Sequence, residues 1–589
     1  MTIRFQYKIA FVLALAGFQA ATAQKKDENI GTEVVNVVKP YTPTISDAFK
    51  VKETPVMEDE DNAQKKEIEY NIFSFPVAST FTPAKGKAAG VKRAKKETAF
   101  NNYASLGIGN YGTINAELFV TENLNRNEYV GGMLRHISSQ GGIDGVVLDD
   151  KYYNTGLDLT YGNRQKDYSW NADMGYQNQV YNWYGLPLEY QVFTDEEIAS
   201  IDPKQTYNTF YLGGKIAAED SFFRDASILY KRFWDGYDSA ENRFYVKPSL
   251  DIDVLEEKIK VDFIADYVGG TFEEADFLTS QIDYSYFNLG IQPSVLFQSD
   301  DLSVQLGAGL FYSISKLMGE SDNKFYVYPQ VKASYKVVGD LMIAYAGAEG
   351  TLKQNSYADF VDENHFLAPN LIISPTDQQY DIYVGLKGKL ASNVAYNIRG
   401  SYMNEDNRAF FMNNMVSMPQ PQPAEPRANY NYGNSFGLVY DKLQTVSFFG
   451  ELKADISKSV AFGVNGTFSS YTTENLDEAW NLPSMQIGAN LDVDITEKWY
   501  AGANVFFVGE RKDFVAVNNP EFVDPLATTA VVTLDSYFDA NAHVGYRYSE
   551  RLTGFLKLNN IAGQNYQKWV NYPVQGFQFL LGASYKFNF

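Results

Sequence analysis

The chain has no cysteine and no long apolar run beyond its first two dozen positions. The absence of cysteine among 589 residues excludes disulfides, thiolate catalysis and thiolate metal sites, and it suits an oxidising compartment. No later stretch approaches the roughly 20 consecutive apolar residues that a membrane helix needs. The sequence therefore excludes a helical membrane protein. Two fold classes remain, a large soluble β protein and a membrane β-barrel.

Histidine and positive charge are also scarce. The only histidines are His136, His365 and His543, which lie far apart in sequence and lack a second histidine at metal-ligand spacing. No Gly-x-Ser-x-Gly motif nominates a nucleophile. We therefore predict no enzymatic activity, no cofactor and no metal site. The formal net charge of −22 argues against nucleic acid as a partner.

Aromatic residues are abundant, with 41 Phe and 43 Tyr, yet the mean hydropathy is only −0.30. The apolar side chains must therefore be spread among polar ones. In "SMQIGANLDVDIT" the odd positions from Met485 to Ile495 are apolar, while the even positions from Gln486 to Asp494 are polar or glycine. Successive side chains of a strand point to opposite faces, so this period of two predicts a two-faced β-strand.

The N-terminus predicts export. "MTIRFQYKIAFVLALAGFQAATAQ" has two basic residues, a short apolar core and Ala21-Thr22-Ala23 before Gln24, as in a secretory signal peptide covering residues 1–23. Residues 24–102 have charge runs and scattered prolines, and we interpret them as an extended periplasmic arm. Residues 103–589 follow as one β domain.

The two-faced segments run about 10 to 14 residues, long enough to cross a bilayer at a tilt. Short turns such as 255–258 and 338–340 alternate with long connections such as 183–206 and 350–377. Short periplasmic turns and long extracellular loops are typical of outer-membrane barrels. The fold prediction is all-β: a transmembrane antiparallel β-barrel of about 22 strands (range 20 to 24), in the cell outer membrane, with the arm in the periplasm.

The last 53 residues carry a resemblance. "LNNIAGQNY", the later "YPVQG" and the final aromatic strand resemble the C-terminal end of TonB-dependent receptors, and "ASLGIGNYGTINAELFVTE" resembles the first hairpin of their barrel. That family places a plug domain of roughly 120 to 150 residues before the barrel. Residues 24–102 are too few and too irregular for one, so we expect the full plug to be absent.

The resemblance also implies residue roles. Family members carry a short N-terminal box that pairs as a strand with TonB, and "TEVVNVV" matches it in composition and place; an extended linker is an equal alternative. A terminal aromatic is part of the signal read by the barrel-assembly machinery. The corresponding residues are Thr32, Glu33, Val34, Val35, Val37 and Val38 for the box, and Tyr585, Phe587 and Phe589 for the assembly signal.

Inward-facing carboxylates near the periplasmic turns form a further candidate site. They could attract cations or a basic segment, although hydrated lumen positions are the simpler interpretation. The residues of this lumen acidic cluster are Asp251, Asp253, Asp262, Asp266, Asp492 and Asp494.

A barrel this wide without a plug would leave an aqueous lumen. We consider three candidates that would fill this lumen: the arm around residues 72–81, the long loops 350–377 and 417–426, or a partner protein. We expect a partly occluded, TonB-dependent-receptor-like barrel that acts as a receptor or transport component, or in an envelope complex. The alternatives are a structural scaffold subunit and an open porin. The expected partners are outer-membrane lipid, the barrel-assembly machinery, and TonB or another envelope protein.

Overall fold

The computed structural model of the protein describes residues 99–219, 221–254, 257–274, 281–415, 427–516 and 529–589. The predicted signal peptide, nearly all of the predicted arm, the TonB-box-like residues 32–38 and the Pro-rich stretch 417–426 lie outside the described residues. No helix in the described part is long and apolar enough to cross a membrane.

Strands dominate the described chain. In chain order they are β1 (Asn102–Gly109), β2 (Ile114–Asn123), β3 (Glu128–Ser139), β4 (Tyr152–Arg164), β5 (Tyr168–Asn182), β6 (Lys204–Ala218), β7 (Phe223–Asp235), β8 (Ala240–Val254), β9 (Glu257–Phe272), β10 (Ile282–Gln298), β11 (Leu302–Leu317), β12 (Glu320–Val338), β13 (Met342–Lys353), β14 (Thr376–Ala391), β15 (Val394–Asn413), β16 (Phe436–Ser457), β17 (Val460–Thr473), β18 (Met485–Asp494), β19 (Trp499–Val508), β20 (Arg511–Ala516), β21 (Thr529–Leu534), β22 (Tyr537–Arg547), β23 (Leu552–Asn559), β24 (Gln567–Trp569), β25 (Tyr572–Pro573) and β26 (Gln578–Phe587).

All strands except β20, β21, β24 and β25 form one antiparallel sheet of 22 strands. Neighbours in the sheet follow the chain order, and the last strand returns to the first: β26 pairs with β1 from Asn102↔Phe587 to Gly109↔Leu580. The sheet is therefore a closed barrel without an edge, which matters in hydrocarbon because unpaired backbone groups there cost several kcal/mol each. The prediction of an all-β barrel of about 22 strands is confirmed.

The outer face of the barrel is apolar. Along β26 the odd-numbered side chains point outward, so that Leu581 is 59% exposed, whereas Leu580 on the other face is 1% exposed. The same alternation exposes Val384 on β14 and Phe448 on β16. A band of exposed aliphatic and aromatic side chains of this extent would aggregate in water. It matches the lipid-facing surface that the period-two pattern predicted.

Connections differ between the two ends of the barrel. At one end of the barrel, here called the turn end, ten connections of two to four residues join β2 to β3, β4 to β5 and so on to β18 and β19, and then β22 to β23. The start of β1 and the end of β26 also lie at the turn end. At the other end, the loop end, the eleven connections include 183–203, 354–375, 414–435 and 509–536. This is the predicted alternation, and it assigns the loop end to the cell exterior.

In the described part of the chain, two short α-helices lie in loop-end connections, α1 (Asp195–Ser200) and α2 (Tyr357–Glu363), and one turn of 3-10 helix (Asn110–Gly112) joins β1 to β2. Thr194 caps α1, accepting from the Glu197 N–H, while the Glu197 carboxylate accepts from the Thr194 N–H. This is a reciprocal capping box, formed by two residues three positions apart in the segment "TDEEIAS".

Candidate functional site: the cap at the loop end

The connection between β13 and β14, residues 354–375, is apolar for a surface loop and folds inward. We call it the cap loop. In α2, Tyr357, Phe360 and Val361 are buried, and further along the loop Leu367 and Ile373 are fully buried. All five belong to the largest hydrophobic cluster of the described residues. A loop that buries this much apolar surface is held in place by the hydrophobic effect rather than left in solvent.

The partners of the cap loop come from all around the barrel. Aromatic side chains meet it from β5 (Tyr181 on His365), from β7 (Phe233 on Tyr357), from β9 (Phe272 on Tyr357), from β15 (Phe411 on Phe360) and from β25 (Tyr572 on Phe366), with ring centroids 3.7 to 5.9 Å apart. The wall strands β5 and β7 lie far around the ring from β13 and β14, which carry the cap loop, so they can touch it only across the mouth of the barrel. The cap loop therefore lies inside the mouth of the barrel.

The upper part of the β15–β16 hairpin also lies inside the mouth. The ladder between β14 and β15 ends at Asp377↔Asp406, and that between β16 and β17 ends at Leu443↔Thr473. Beyond these points residues 408–413 and 436–441, here the tongue, pair with each other and no longer with the wall strands, and Phe436 also forms a parallel bridge with Leu367 of the cap loop. The consecutive residues Ala409, Phe410 and Phe411 are all at least 93% buried. A strand in a membrane wall has one face against lipid, so a strand buried on both faces belongs to the interior.

The two faces of the tongue meet different loops. Phe411 packs against Phe360 of the cap loop and against Trp569 of β24. Phe410, on the opposite face, belongs to a separate hydrophobic cluster with Trp480 of the β17–β18 connection, which packs on Phe514 of β20. Cap loop, tongue and the flanking loops thus form one layered cap of side chains at the loop end.

Two buried carboxylates of the wall hold the start of α2. Glu241 of β8 is 2% exposed, and its carboxylate accepts from the Tyr357 N–H at 2.6 Å, the Ala358 N–H at 3.3 Å and the Tyr284 hydroxyl at 2.6 Å. The Asp235 carboxylate accepts from the Tyr357 hydroxyl at 2.9 Å. Hydrogen bonds to charged acceptors are the strong ones, so this pair fixes where the helix begins.

The polar side of α2 contacts basic side chains of the wall. The Asp359 carboxylate lies 2.8 Å from Nη1 of Arg243 and 3.4 Å from Nζ of Lys231. Burial alone would raise the pKa of Asp359, but the two cations outweigh it and hold that pKa below its usual range. Arg243 also donates two hydrogen bonds to the Asp266 carboxylate, at 3.0 and 2.8 Å.

The far end of the cap loop is tied as firmly. The Asn355 side chain donates to the Ser374 carbonyl at 2.7 Å, so the two ends of the loop are adjacent. The Tyr440 hydroxyl of the tongue donates to the Ile372 carbonyl at 2.9 Å. His365 stacks on Tyr181, and burial, aided by Lys568, lowers the pKa of His365 to about 3. His365 is therefore neutral at physiological pH.

The predicted lumen acidic cluster is divided by the fold. Asp251 and Asp253 lie on β8, Asp262 and Asp266 on the adjacent β9, and Asp492 and Asp494 on the distant β18.

Two of the first group already have strong partners. Asp262 accepts from the Ser249 hydroxyl at 2.7 Å and from the Lys260 ammonium at 2.9 Å. Asp266 is bound to Arg243 as described. No group of three or more metal-ligating side chains occurs within the described ranges.

Of the predicted assembly signal, Tyr585 and Phe587 lie on β26, and Phe589 follows that strand with its side chain 82% exposed. Sequence reasoning missed Glu241, Asp235 and Arg243, because in sequence they are ordinary polar positions of strands. The cap loop itself was one of three fillers left open. The sequence does contain one indication that the cap loop is buried. Its segment lacks the period of two and is therefore assigned to a loop, yet it is rich in apolar residues, beginning with Tyr357 and Phe360.

Comparisons with known proteins support the fold. No family model matches the chain, and no curated protein matches its sequence. Among solved structures, the ferripyoverdine receptor of the outer membrane of Pseudomonas aeruginosa is 14% identical with a TM-score of 0.61, over 84% of this chain and 72% of that one.

Two further solved structures show the same likeness. The siderophore receptor PirA from Acinetobacter baumannii is 11% identical with a TM-score of 0.60, over 84% of this chain and 81% of that one. The ferric-catecholate import receptor Fiu from E. coli K12 is 12% identical with a TM-score of 0.57, over 84% and 83%. At these identities the likeness is one of fold. The chain has the 22-stranded outer-membrane barrel that the resemblance to TonB-dependent receptors implied.

Proposed function

We propose that the protein is an outer-membrane receptor or transport barrel whose exterior mouth is closed by its own cap loop and tongue. The observation that carries the proposal is the burial of the cap loop against the tongue and against wall strands such as β5 and β7, which lie far around the barrel from the strands that carry the loop. The named activities of the similar structures, siderophore reception and ferric-catecholate import, favour uptake of a solute over catalysis. In this proposal the cap does at the outer mouth what a plug domain would otherwise do within the lumen.

The N-terminal region supplies the coupling in this proposal. Residues 1–23 direct export, residues 24–102 form the periplasmic arm, and residues 32–38 pair as an added strand with TonB. Crosslinking from a photoreactive residue at Val34 or Val35 is expected to yield a TonB adduct in living cells. If no adduct forms while the protein is present at normal abundance, the proposed pairing with TonB is wrong, and only the closed barrel remains of the proposal.

The closed mouth is tested by accessibility from outside the cell. Because the chain has no cysteine, a single introduced thiol reports unambiguously. Asn465 on β17 is exposed, and it lies on the lumen side because it is three positions from the lipid-facing Phe468. We expect Asn465→Cys to react slowly with a bulky, membrane-impermeant maleimide added to intact cells. Asp144→Cys, in the exposed β3–β4 loop, is the control that should react at once.

Removal of the cap should reverse this protection. Asn355 and Ser374 are adjacent, so residues 356–373 can be replaced by two glycines without stretching the barrel. With this deletion, the thiol introduced at position 465 is expected to react about as fast as the one introduced at position 144. Rapid labelling of Asn465→Cys with the cap intact would indicate an open porin, and continued protection after the deletion would show that the cap does not close the mouth.

A further inference from the structure

The second face of α2 is acidic. Tyr357, Ala358, Phe360 and Val361 face the hydrophobic cluster and are buried, whereas Asp359, Asp362 and Glu363 are exposed. Asp359 and Glu363 are four positions apart and so lie on one side of the helix. The cap loop thus presents two carboxylates on the side of the helix away from the hydrophobic cluster.

Basic side chains face these carboxylates from four separate elements of the wall and loops. Lys231 of β7 and Arg243 of β8 bind Asp359 directly. Lys353 ends β13 four residues before α2 begins. Lys568 of β24 precedes Trp569, which packs on Phe411 next to Phe360 of α2. We call Lys231, Arg243, Lys353 and Lys568 the basic ring. Lys353 is only four residues before α2, whereas Lys231, Arg243 and Lys568 come from distant parts of the sequence and are brought to α2 by the closed barrel.

Half of the ring has no direct ion pair of its own. In the described part of the chain, no carboxylate oxygen lies within 4 Å of the ammonium of Lys353 or Lys568. Arg408 stands near Lys353, and its Nε is buried without a hydrogen-bond partner. Lys353 is exposed and Lys568 is half-buried, so the ammonium groups of both can take up more negative charge than α2 supplies.

We propose that the basic ring is a binding site for a small polyanion, and that Asp359 and Glu363 of α2 occupy it in the closed barrel as a built-in substitute for that ligand. Carboxylates or phosphates of the ligand replace the two side chains, because Nη1 of Arg243, which does not bind Asp266, and the lysine ammonium groups donate to either kind of group. The Asp359 side chain is 45% exposed, and its partners Lys231 and Arg243 are 22% and 18% exposed, so a multiply charged ligand can reach these cations and compete with α2 for them. Release of α2 then loosens the cap loop. This inference rests on the proposed function.

The first test neutralises the substitute without adding a ligand. In the Asn465→Cys background, Asp359→Asn with Glu363→Gln is expected to raise the maleimide labelling rate about tenfold, the effect of losing a few weak ion pairs. The matched control is Asp195→Asn with Glu196→Gln in α1, two exposed acids of the other loop helix, and it should leave the rate unchanged. Heat-modifiable migration on gels verifies that each barrel is folded.

The second test supplies the anion. Citrate and inorganic phosphate, each added at constant ionic strength against chloride, probe the full chain carrying Asn465→Cys. We expect at least one of them to speed labelling several-fold, and the more effective one identifies the ligand as carboxylate or phosphate in class. Lys353→Gln with Lys568→Gln should abolish the response, while Lys336→Gln with Lys389→Gln, at the turn end, should preserve it.

The outcomes separate the two proposals. If the deletion of residues 356–373 opens the barrel but neither the acid-neutralised variant nor either anion does, the ring is not a ligand site and the closed-mouth function stands. The ring is likewise not a ligand site if Lys353→Gln with Lys568→Gln responds to the anion like the parent. If the thiol at position 465 stays protected after the deletion, the proposed function itself fails.

Discussion

Glu241 shows how one strand residue can position a loop. Its carboxylate is almost fully buried and accepts three hydrogen bonds, two of them from backbone N–H groups at the start of α2. These donors have no other helical partner, because the first N–H groups of any helix lack one. The wall strand therefore adds to the cap that the loop supplies itself, in which the Ser356 hydroxyl accepts from the Asp359 N–H at 3.1 Å.

Replacing Glu241 by Ala should free the cap loop. The change leaves buried donors unsatisfied, each at a cost of about 1 to 3 kcal/mol. We expect chymotrypsin added to intact cells to cleave after Tyr357 or Phe360 at least about tenfold faster than in the parent. Glu196→Ala in α1 is the control and should not change cleavage. Equal cleavage of the two variants would show that Glu241 is not an anchor.

Asp513 of β20 gives a pH dependence to the β20–β21 hairpin. The residue is fully buried, and burial raises its pKa to about 7, although the Phe514 N–H donates to it at 2.8 Å. An Asp in the unfolded chain has a pKa of about 3.9. The folded hairpin therefore binds the proton more tightly, and its stability falls as the pH rises from about 4 through 7.

We expect amide hydrogen exchange in residues 511–516, corrected for the intrinsic pH effect, to be faster at pH 8 than at pH 5. The loss corresponds to at most about 4 kcal/mol of local stability. Asp513→Asn cannot ionise, so it should exchange slowly at both pH values. A parent hairpin whose corrected rates do not change between pH 5 and 8 would contradict this assignment.

At the scale of elements, the tongue depends on a bulge. The β15–β16 register shifts between Glu405 and Arg408, and Asn407 within the bulge has a φ of 55°. The Asn407 side chain donates to the Ser374 hydroxyl at 2.8 Å and to the Pro375 carbonyl at 2.7 Å. The bulge thus marks where the hairpin leaves the wall, and it also fastens that point to the end of the cap loop.

Substitutions at Asn407 should separate its backbone and side-chain roles. Val is strained at positive φ by about 1 to 3 kcal/mol, whereas Gly adopts it freely and loses only the amide. We expect hydrogen exchange in residues 408–413 to rise slightly in Asn407→Gly and much more in Asn407→Val. If both variants matched the parent, neither the bulge nor its hydrogen bonds would hold the tongue.

At the scale of the whole molecule, the seam between β1 and β26 closes the barrel. The tail continues the contact beyond the paired residues, since the Asn588 side chain donates to the Ala99 carbonyl and accepts from the Asn101 N–H. Phe589 is largely exposed, and its ring centroid lies 5.6 Å from that of Phe587. Its side chain contributes little to the finished barrel, so a role for it must lie in assembly.

Deleting Phe589 should therefore lower the amount of assembled barrel while the surviving barrel keeps its stability. The measurement is heat-modifiable migration, which gives both the assembled fraction and the temperature at which the band shifts. Asn588→Ala, which loses the two seam hydrogen bonds, is expected to lower that temperature by a few degrees. A Phe589 deletion that assembles as well as the parent would contradict the predicted signal.

The sequence by itself determined the barrel. Its period of two, the length of the strands and the alternation of short and long connections are local properties, and each is written in consecutive residues such as 485–495. The capping box of α1 was equally readable, because Thr194 and Glu197 are only three residues apart.

Only the tertiary structure decided how the mouth is closed. Glu241 meets Tyr357 across 116 residues, and Tyr572 reaches the carbonyl of Asn434 across 138, so no local pattern contains these contacts. The predicted lumen acidic cluster is divided because its residues lie at similar heights on different strands. In the closed sheet such strands, for example β9 with Asp262 and β18 with Asp492, are far apart. Periodicity fixes which face a side chain occupies, whereas ring closure fixes which distant side chains share the interior with it.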